Sequence, residues 1–359
     1  MAFDVTHIIS SDTSIELLDQ LALTCQPSDK IISIGKPQQA EFDAEFDIIQ
    51  PAFGVHSLAK AKLLEKVNLG SIIHIWSSDL LEIALEVADI KKSQIILSVL
   101  SVNSTHEQNK LPWIAGANNI SILTRTDAGV QSCLNLGADP KKFFSIPIVS
   151  KESDIENIRN NRLRVRRELN ISDDKTVLAI PNEILTPESG HKIAIWAHAI
   201  LSWVLDDIAL IVPGDSEEFD NVYKFATNTG FLNNVYFTKN EFTPTEVISA
   251  CDIALFSGDE NNKNLGRIAE AIKQARPVIA DNCAEIHEIT NAGELAYLID
   301  TEPKTLSSAM LKLLEDKDLR CKLIAACDAD SSLFSPDFAK DKLAKIYTTL
   351  AEVDKVEAE

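Results

Sequence analysis

Glu270 is the side chain whose neighbourhood first suggests chemistry. Residues 252–280 read as an apolar run, Ile253–Phe256, and a polar turn, Ser257–Asn264. Leu265, Ile268, Ala269 and Ile272 then recur at helical spacing before a second apolar run, Pro277–Ala280. That order predicts strand, loop, helix and strand. In a parallel sheet, ligands bind at the loop leaving a strand's carboxyl end and at the helix N-terminus that follows. A carboxylate in the first turns of such a helix can accept hydrogen bonds from sugar or ribose hydroxyls. Taken alone, Glu270 reads as a solvated helix residue. Asn262, Lys263 and Arg267 share the same loop and helix, and the two cations offer charge to an anionic ligand.

Other reactive side chains are more scattered. Arg159, Arg162, Arg164, Arg166 and Arg167 form the one dense basic cluster. Arginine forks suit phosphate oxygens, but interleaved acids make a solvated helix face the plainer expectation. His74, inside the apolar run Ile72–Trp76, reads as a core histidine hydrogen-bonded to backbone. The six cysteines show neither metal-ligand nor redox spacing and are expected to be free thiols, mostly buried.

The wording around Glu270 resembles a known family. Glu270-Ala271-Ile272 followed by Arg276-Pro277-Val278-Ile279-Ala280 is similar to the "EAMA-x-G-x-PVIA" segment of the retaining GT-B glycosyltransferases, the large nucleotide-sugar family four. There two glutamates eight residues apart frame the donor site, and the second binds the nucleotide ribose. Here the second falls on Glu270 and the first on Asn262. Pro187-Glu188 and Gly190-His191 match the tail of the family's "V-G-R-L-x-P-E-K-G-H". Its arginine and lysine fall on Ile184 and Ser189, and its glycine on Glu183. Pro213-Gly214-Asp215-Ser216 resembles "V-G-D-G". The family's histidine beside the reacting sugar carbon falls on Leu100, with His106 as the candidate substitute. The loop at Ser11 and Asp12 stands where the family places a glycine pair close to sugar and phosphates.

These residues need elements to hold them. Strands are expected at Thr6–Ser10, Lys30–Gly35, Phe46–Gln50, Gly70–Ser77, Gln94–Ser101 and Ile120–Thr124. A second series starts at Thr176 and continues at Ile208, Asn234, Ile253, Pro277 and Leu295. Helices alternate with them, and Phe338–Val353 is a long final helix. Such alternation predicts parallel α/β sheets. The resemblance implies a GT-B fold, two Rossmann-like domains facing across a cleft. Residues 1–165 would form the acceptor-side domain and 166–336 the nucleotide-sugar side, with 337–359 packing back onto the first. Ser10–Ser14 and Ser98–His106 would line one wall, Asn182–Gly190 and Asp259–Glu270 the other.

Composition narrows the partners. A length of 359 residues suits two domains, and a net charge of −20 argues against nucleic acid and against anionic lipid. No apolar stretch reaches the ~20 residues of a membrane span. The N-terminus lacks the pattern of a secretory signal, so the expected setting is cytoplasmic. No cofactor is implied and no metal-ligand cluster is visible. By resemblance, the function is transfer of a hexose from a nucleotide diphosphate sugar to a sugar or glycolipid acceptor, in glycolipid or surface polysaccharide assembly. The departures at Leu100, Ile184, Ser189 and Asn262 keep a second reading open, a catalytically silent relative that binds or scaffolds beside a protein partner. A nucleotide-sugar epimerase of the same architecture is a third.

Overall fold

The computed structural model describes residues 4–11, 13–36, 47–49, 62, 69–91, 93–99, 119–135, 139–151, 154–182, 189–228, 230, 232–258, 264–300 and 302–357. The chain divides into two compact units. Met1–Val149 joins Pro336–Glu359 in the first, and Ser150–Ser335 forms the second.

The first unit is built on seven strands, β1 (Val5–Ser10), β2 (Lys30–Ile34), β3 (Asp47–Ile49), β4 (Ile72–Ile75), β5 (Gln94–Ser98), β6 (Ile120–Thr124) and β7 (Phe143–Ser145). Their order across the sheet is β3-β2-β1-β4-β5-β6-β7, and every pairing is parallel. Helices α1 (Ile15–Thr24), α2 (Leu81–Lys91) and α3 (Asp127–Asn135) connect them, and α12 (Pro336–Glu357) returns from the chain's end. The inner strands β1, β4 and β5 are isoleucine-rich and buried along their length, as a sheet covered on both faces requires.

One face packs Ile8, Ile73, Ile75, Ile95 and Leu97 against Leu81, Ala84 and Val87 of α2. On the other, Val5, Ile72, Ile96 and Leu123 meet Ala339, Leu343, Ile346, Tyr347 and Leu350 of α12. These last five recur at helical spacing, and burying each of the larger ones is worth roughly 1.5–3 kcal/mol.

Polar side chains are threaded through this core. His74 is fully buried and stacks on Trp76 at 4.2 Å between ring centroids. Its Nδ1 lies 2.7 Å from the Tyr347 hydroxyl and its Nε2 2.7 Å from Ser98 Oγ. It is a core histidine, but its partners are side chains rather than the backbone. Trp76 Nε1 donates to His7 Nδ1 at 3.1 Å, which leaves His7 Nε2 to donate to Asp29 at 3.2 Å.

The second unit holds β8 (Thr176–Ala179), β9 (Ile208–Pro213), β10 (Val235–Lys239), β11 (Ile253–Phe256), β12 (Val278–Asp281) and β13 (Tyr297–Ile299). All pair in parallel, in the order β10-β9-β8-β11-β12-β13. The helices are α4 (Ile155–Glu168), α5 (His191–Leu201), α6 (Phe219–Asn228), α7 (Pro244–Ala250), α8 (Leu265–Lys273), α9 (Ala284–Ile289), α10 (Pro303–Glu315) and α11 (Lys317–Asp330). Pro244 opens α7 inside a full capping box, Thr243 accepting from the Glu246 backbone and Glu246 from that of Thr243. Among the described residues, no helix is long and apolar enough to cross a membrane.

Candidate functional site

In the second sheet the strand order reverses between β8 and β11. A crevice opens at the carboxyl ends of the strands on either side of such a switch point, and ligands of open α/β sheets bind there. The residues leaving β8 and β11 converge on it. Asn182 Nδ2 lies 3.5 Å from the Ser189 carbonyl, bringing the end of β8 to the start of α5. Gly190 caps α5 with φ +75°, and a Cβ there would stand 1.4 Å from the Ser257 carbonyl after β11. Only glycine lets these two backbones approach so closely. Gly258 N donates to Asp281 Oδ2 at 2.7 Å, which ties in the end of β12.

The cluster is polar yet buried. Asn182, Ser189, His191 and Ser257 are almost wholly inaccessible. His191 Nδ1 pairs with Ser189 Oγ at 2.7 Å, and burial pushes the imidazole down to about 3, so it is neutral at physiological pH. Asn182 Oδ1, His191 Nε2 and Ser257 Oγ have no hydrogen-bond partner among the described residues. Buried polar atoms are ordinarily paired, and leaving one unmade costs about 1–3 kcal/mol. Three such atoms gathered at a switch point suit a ligand with hydroxyl, amide or phosphate groups.

Glu270 lies on α8, the helix that follows β11. Ile268, Ala269, Glu270, Ala271 and Ile272 are all buried, so the helix is enclosed on most sides over this turn, and Glu270 is only 6 % exposed. Arg267 Nη1 donates to Glu270 Oε2 at 3.1 Å, one turn earlier on the same helix. The carboxylate is therefore held in a charge-assisted pair, with its other oxygen left to accept. Gly214 follows β9 with φ +102° and donates its N–H to the Lys239 carbonyl. In the first unit Ser11 stands at the equivalent switch point, after β1, and its N–H donates to Ile34 O at 3.1 Å. Asp12, His106, Asn262 and Lys263 lie outside the described residues, as do Leu100, Glu183 and Ile184. Among the described residues no three His, Cys, Asp or Glu side chains gather to hold a metal ion.

The basic cluster takes a different place. Arg162 and Arg166 each reach Asp252 at 2.6 Å and donate to the last carbonyls of α7. Asp252 in turn accepts from Val177 N at 2.7 Å. This knot sits at the amino ends of β8 and β11, the sheet edge opposite the switch-point cluster. Arg166 is buried and Arg162 partly so, and both bind protein rather than phosphate, whereas Arg159 and Arg167 are exposed as expected of a solvated helix face. The six cysteines are all free, three of them buried.

Sequence reasoning reached Gly190 and Glu270 but gave no role to His191 or Ser257. The Gly-His pair ahead of a helix, and a serine directly after a buried strand, were the available signals.

Residues 161–328 match the family model described as glycosyl transferases group 1. This stretch belongs to the group 1 glycosyl transferases. It contains β8 to β13 and all of the switch-point cluster. No curated protein sequence matches the chain. Solved structures share the fold of the whole chain, which is GT-B. HepE from Anabaena, in complex with UDP and glucose, aligns with a TM-score of 0.77 at 16% identity, over 97% of this chain and 100% of its own. A glycosyltransferase from Rickettsia africae gives 0.78 at 14% identity, covering 97% and 98%. WaaG, a glycosyltransferase involved in lipopolysaccharide biosynthesis, gives 0.69 at 17%, covering 94% and 98%.

Proposed function

We propose that this protein is a glycosyl transferase that moves a hexose from a nucleotide diphosphate sugar to an acceptor hydroxyl, in a cytoplasmic step of glycolipid or surface polysaccharide assembly. The observation that carries the reading is the buried Glu270 carboxylate, aligned by Arg267 on the helix that follows β11. A carboxylate so placed suits paired ribose hydroxyls. Asn182, His191 and Ser257 supply further polar atoms for the nucleotide or the diphosphate, and the turns at Gly190 and Gly214 let backbone come close.

Charge on a departing diphosphate has to be met in the transition state, and each preorganised group is commonly worth several kcal/mol. In this reading Lys263 and Arg267 provide that charge, Asn262 faces the sugar, and Ser11, Asp12 and His106 serve the acceptor side. HepE was solved with UDP-glucose, which makes UDP the first nucleotide to try.

The test is a melting-temperature screen over nucleotide sugars, followed by a transfer assay on those that bind. A ligand present at ~100 times its dissociation constant stabilises by about 3 kcal/mol, which a melt resolves easily. Stabilisation by a nucleotide sugar, with turnover, supports the proposal. Binding without turnover of any donor points to a silent scaffold. No binding at all overturns the donor site itself.

A further inference from the structure

The outer face of α5 is apolar where solvent is expected. Trp196 is 49% exposed, Ile200 38%, Trp203 79% and Val204 68%. They recur along one stripe of the helix and its last turn, which continues past Leu201 through backbone bonds to Val204 and Leu205. The opposite side of α5 carries its core contacts, with Ala194, Ile195, Ala197 and Leu201 packed into the second unit. Phe225 of α6 extends the aromatic surface, its ring 5.9 Å from that of Trp196.

From these exposures and ~150–250 Å² for an aromatic side chain, the stripe presents on the order of 400–500 Å² of apolar surface. Isolated exposed apolar residues are ordinary; a contiguous stripe with two tryptophans is the composition of an interface core.

Charge at the two ends of the stripe says what fits it. Lys192 stands at its start, where it also reaches Glu218 at 3.5 Å, and the exposed pair Asp206-Asp207 stands at its end. An anionic bilayer would meet those two aspartates in a chain of net charge −20, so charge disfavours it. A second copy meets them well. When two α5 helices run antiparallel about a two-fold axis near Ala199 and Ile200, Trp196 of each faces Trp203 of the other. In the same arrangement Lys192 of each lies towards the end of the other's stripe, where Asp206 and Asp207 leave the helix for β9. Self-complementarity of this kind is what an isologous dimer requires.

We propose that the chain forms a two-fold dimer through the outer face of α5, with Trp196, Ile200 and Trp203 at its centre and the Lys192 and Asp207 pairs closing its ends. Two such faces bury on the order of 1,000 Å² in total, the lower limit for a specific interface. The dimer is accordingly a dissociable one. This inference rests on the α5 surface alone and stands apart from the donor site.

Sedimentation velocity on the full chain, from ~1 to ~200 µM, tests it across the range where so small an interface associates. A reversible monomer–dimer equilibrium is expected. Trp203→Glu is expected to weaken it at least ~10-fold by placing charge in the apolar centre. Lys192→Glu is expected to weaken association, and the double change Lys192→Glu with Asp207→Lys to restore it; that restoration cannot come from a folding defect. Three results would overturn the proposal. The protein could stay monomeric throughout, or dimerise with neither change having an effect. It could also remain monomeric yet sediment with phosphatidylcholine vesicles in a Trp203-dependent way, which would make the stripe a membrane-facing surface.

Discussion

The imidazole of His74 and the hydroxyl of Tyr347 lie 2.7 Å apart, joining two residues 273 positions apart in sequence. The contact fixes the last helix to the middle of the first sheet. Ser98 holds the second ring nitrogen, so the ring is satisfied at both ends while wholly buried. Replacing Tyr347 by Phe keeps the shape and removes one hydroxyl, leaving His74 Nδ1 unpaired. The expected loss is about 1–3 kcal/mol, read as a lower urea midpoint with an unchanged slope. An unchanged midpoint would show the hydroxyl to be dispensable.

Three buried histidines make stability fall in acid. Burial, aided by neighbouring His7, holds His74 well below the ordinary 6.5. Burial takes His191 down to about 3 and His198 to about 4, in each case against a backbone hydrogen bond that opposes it, with the Lys175 charge adding to the effect at His198. Below pH 6.5 the unfolded chain binds protons that the folded chain refuses, so stability present above that pH is lost as the pH falls towards 4. Each group costs on the order of 1 kcal/mol by pH 5.5, a few kcal/mol together. Melting temperatures between pH 7.5 and 5 should decline. A flat profile would mean that these rings protonate without penalty.

Gly190→Ala is a steric test of the switch-point cluster. The added methyl meets the Ser257 carbonyl, and φ +75° is strained for any L side chain. A cost of roughly 2–4 kcal/mol is expected, together with loss of nucleotide-sugar stabilisation. Gly230→Ala is the control for the strain alone, since a Cβ there meets nothing within 4 Å at φ +74°. Equal losses in the two variants would remove the argument from close approach.

Glu270→Ala is expected to weaken nucleotide binding by ~1.5–3 kcal/mol, the scale of a lost charged hydrogen bond. Glu270→Gln keeps the volume and one acceptor and should fall between wild type and Ala. Titration calorimetry reads both. A dissociation constant equal in all three proteins would leave Glu270 with only its pairing to Arg267.

Much of the fold was legible because the strands are short apolar runs bounded by turn residues. Ile120–Thr124, Pro244–Ala250 and Ile253–Phe256 fall where the pattern puts them. Helix α6 passed unnoticed although Phe219, Val222 and Ala226 keep helical spacing, because its other positions are polar. The site was harder to read. Glu270 carried a recognisable sequence neighbourhood, yet its burial depends on how α8 packs. The unpaired atoms of Asn182, His191 and Ser257 come together only through strand order, which no local pattern encodes. Arg162 and Arg166 of α4 misled for a related reason: their partner Asp252 is distant in sequence and is joined to them only through the packing of α4 on α7.

The return of α12 to the first sheet has a consequence for biosynthesis. Residues 150–335 form one uninterrupted stretch, whereas the first unit is drawn from two segments that flank it. The first unit, begun earlier, must wait. Until Leu343, Ile346, Tyr347 and Leu350 emerge, Val5, Ile72, Ile96 and Leu123 have no helix to cover them and His74 has no Tyr347. A chain that stops before residue 336 therefore leaves that face of the first sheet open, the kind of exposed apolar surface that chaperones engage.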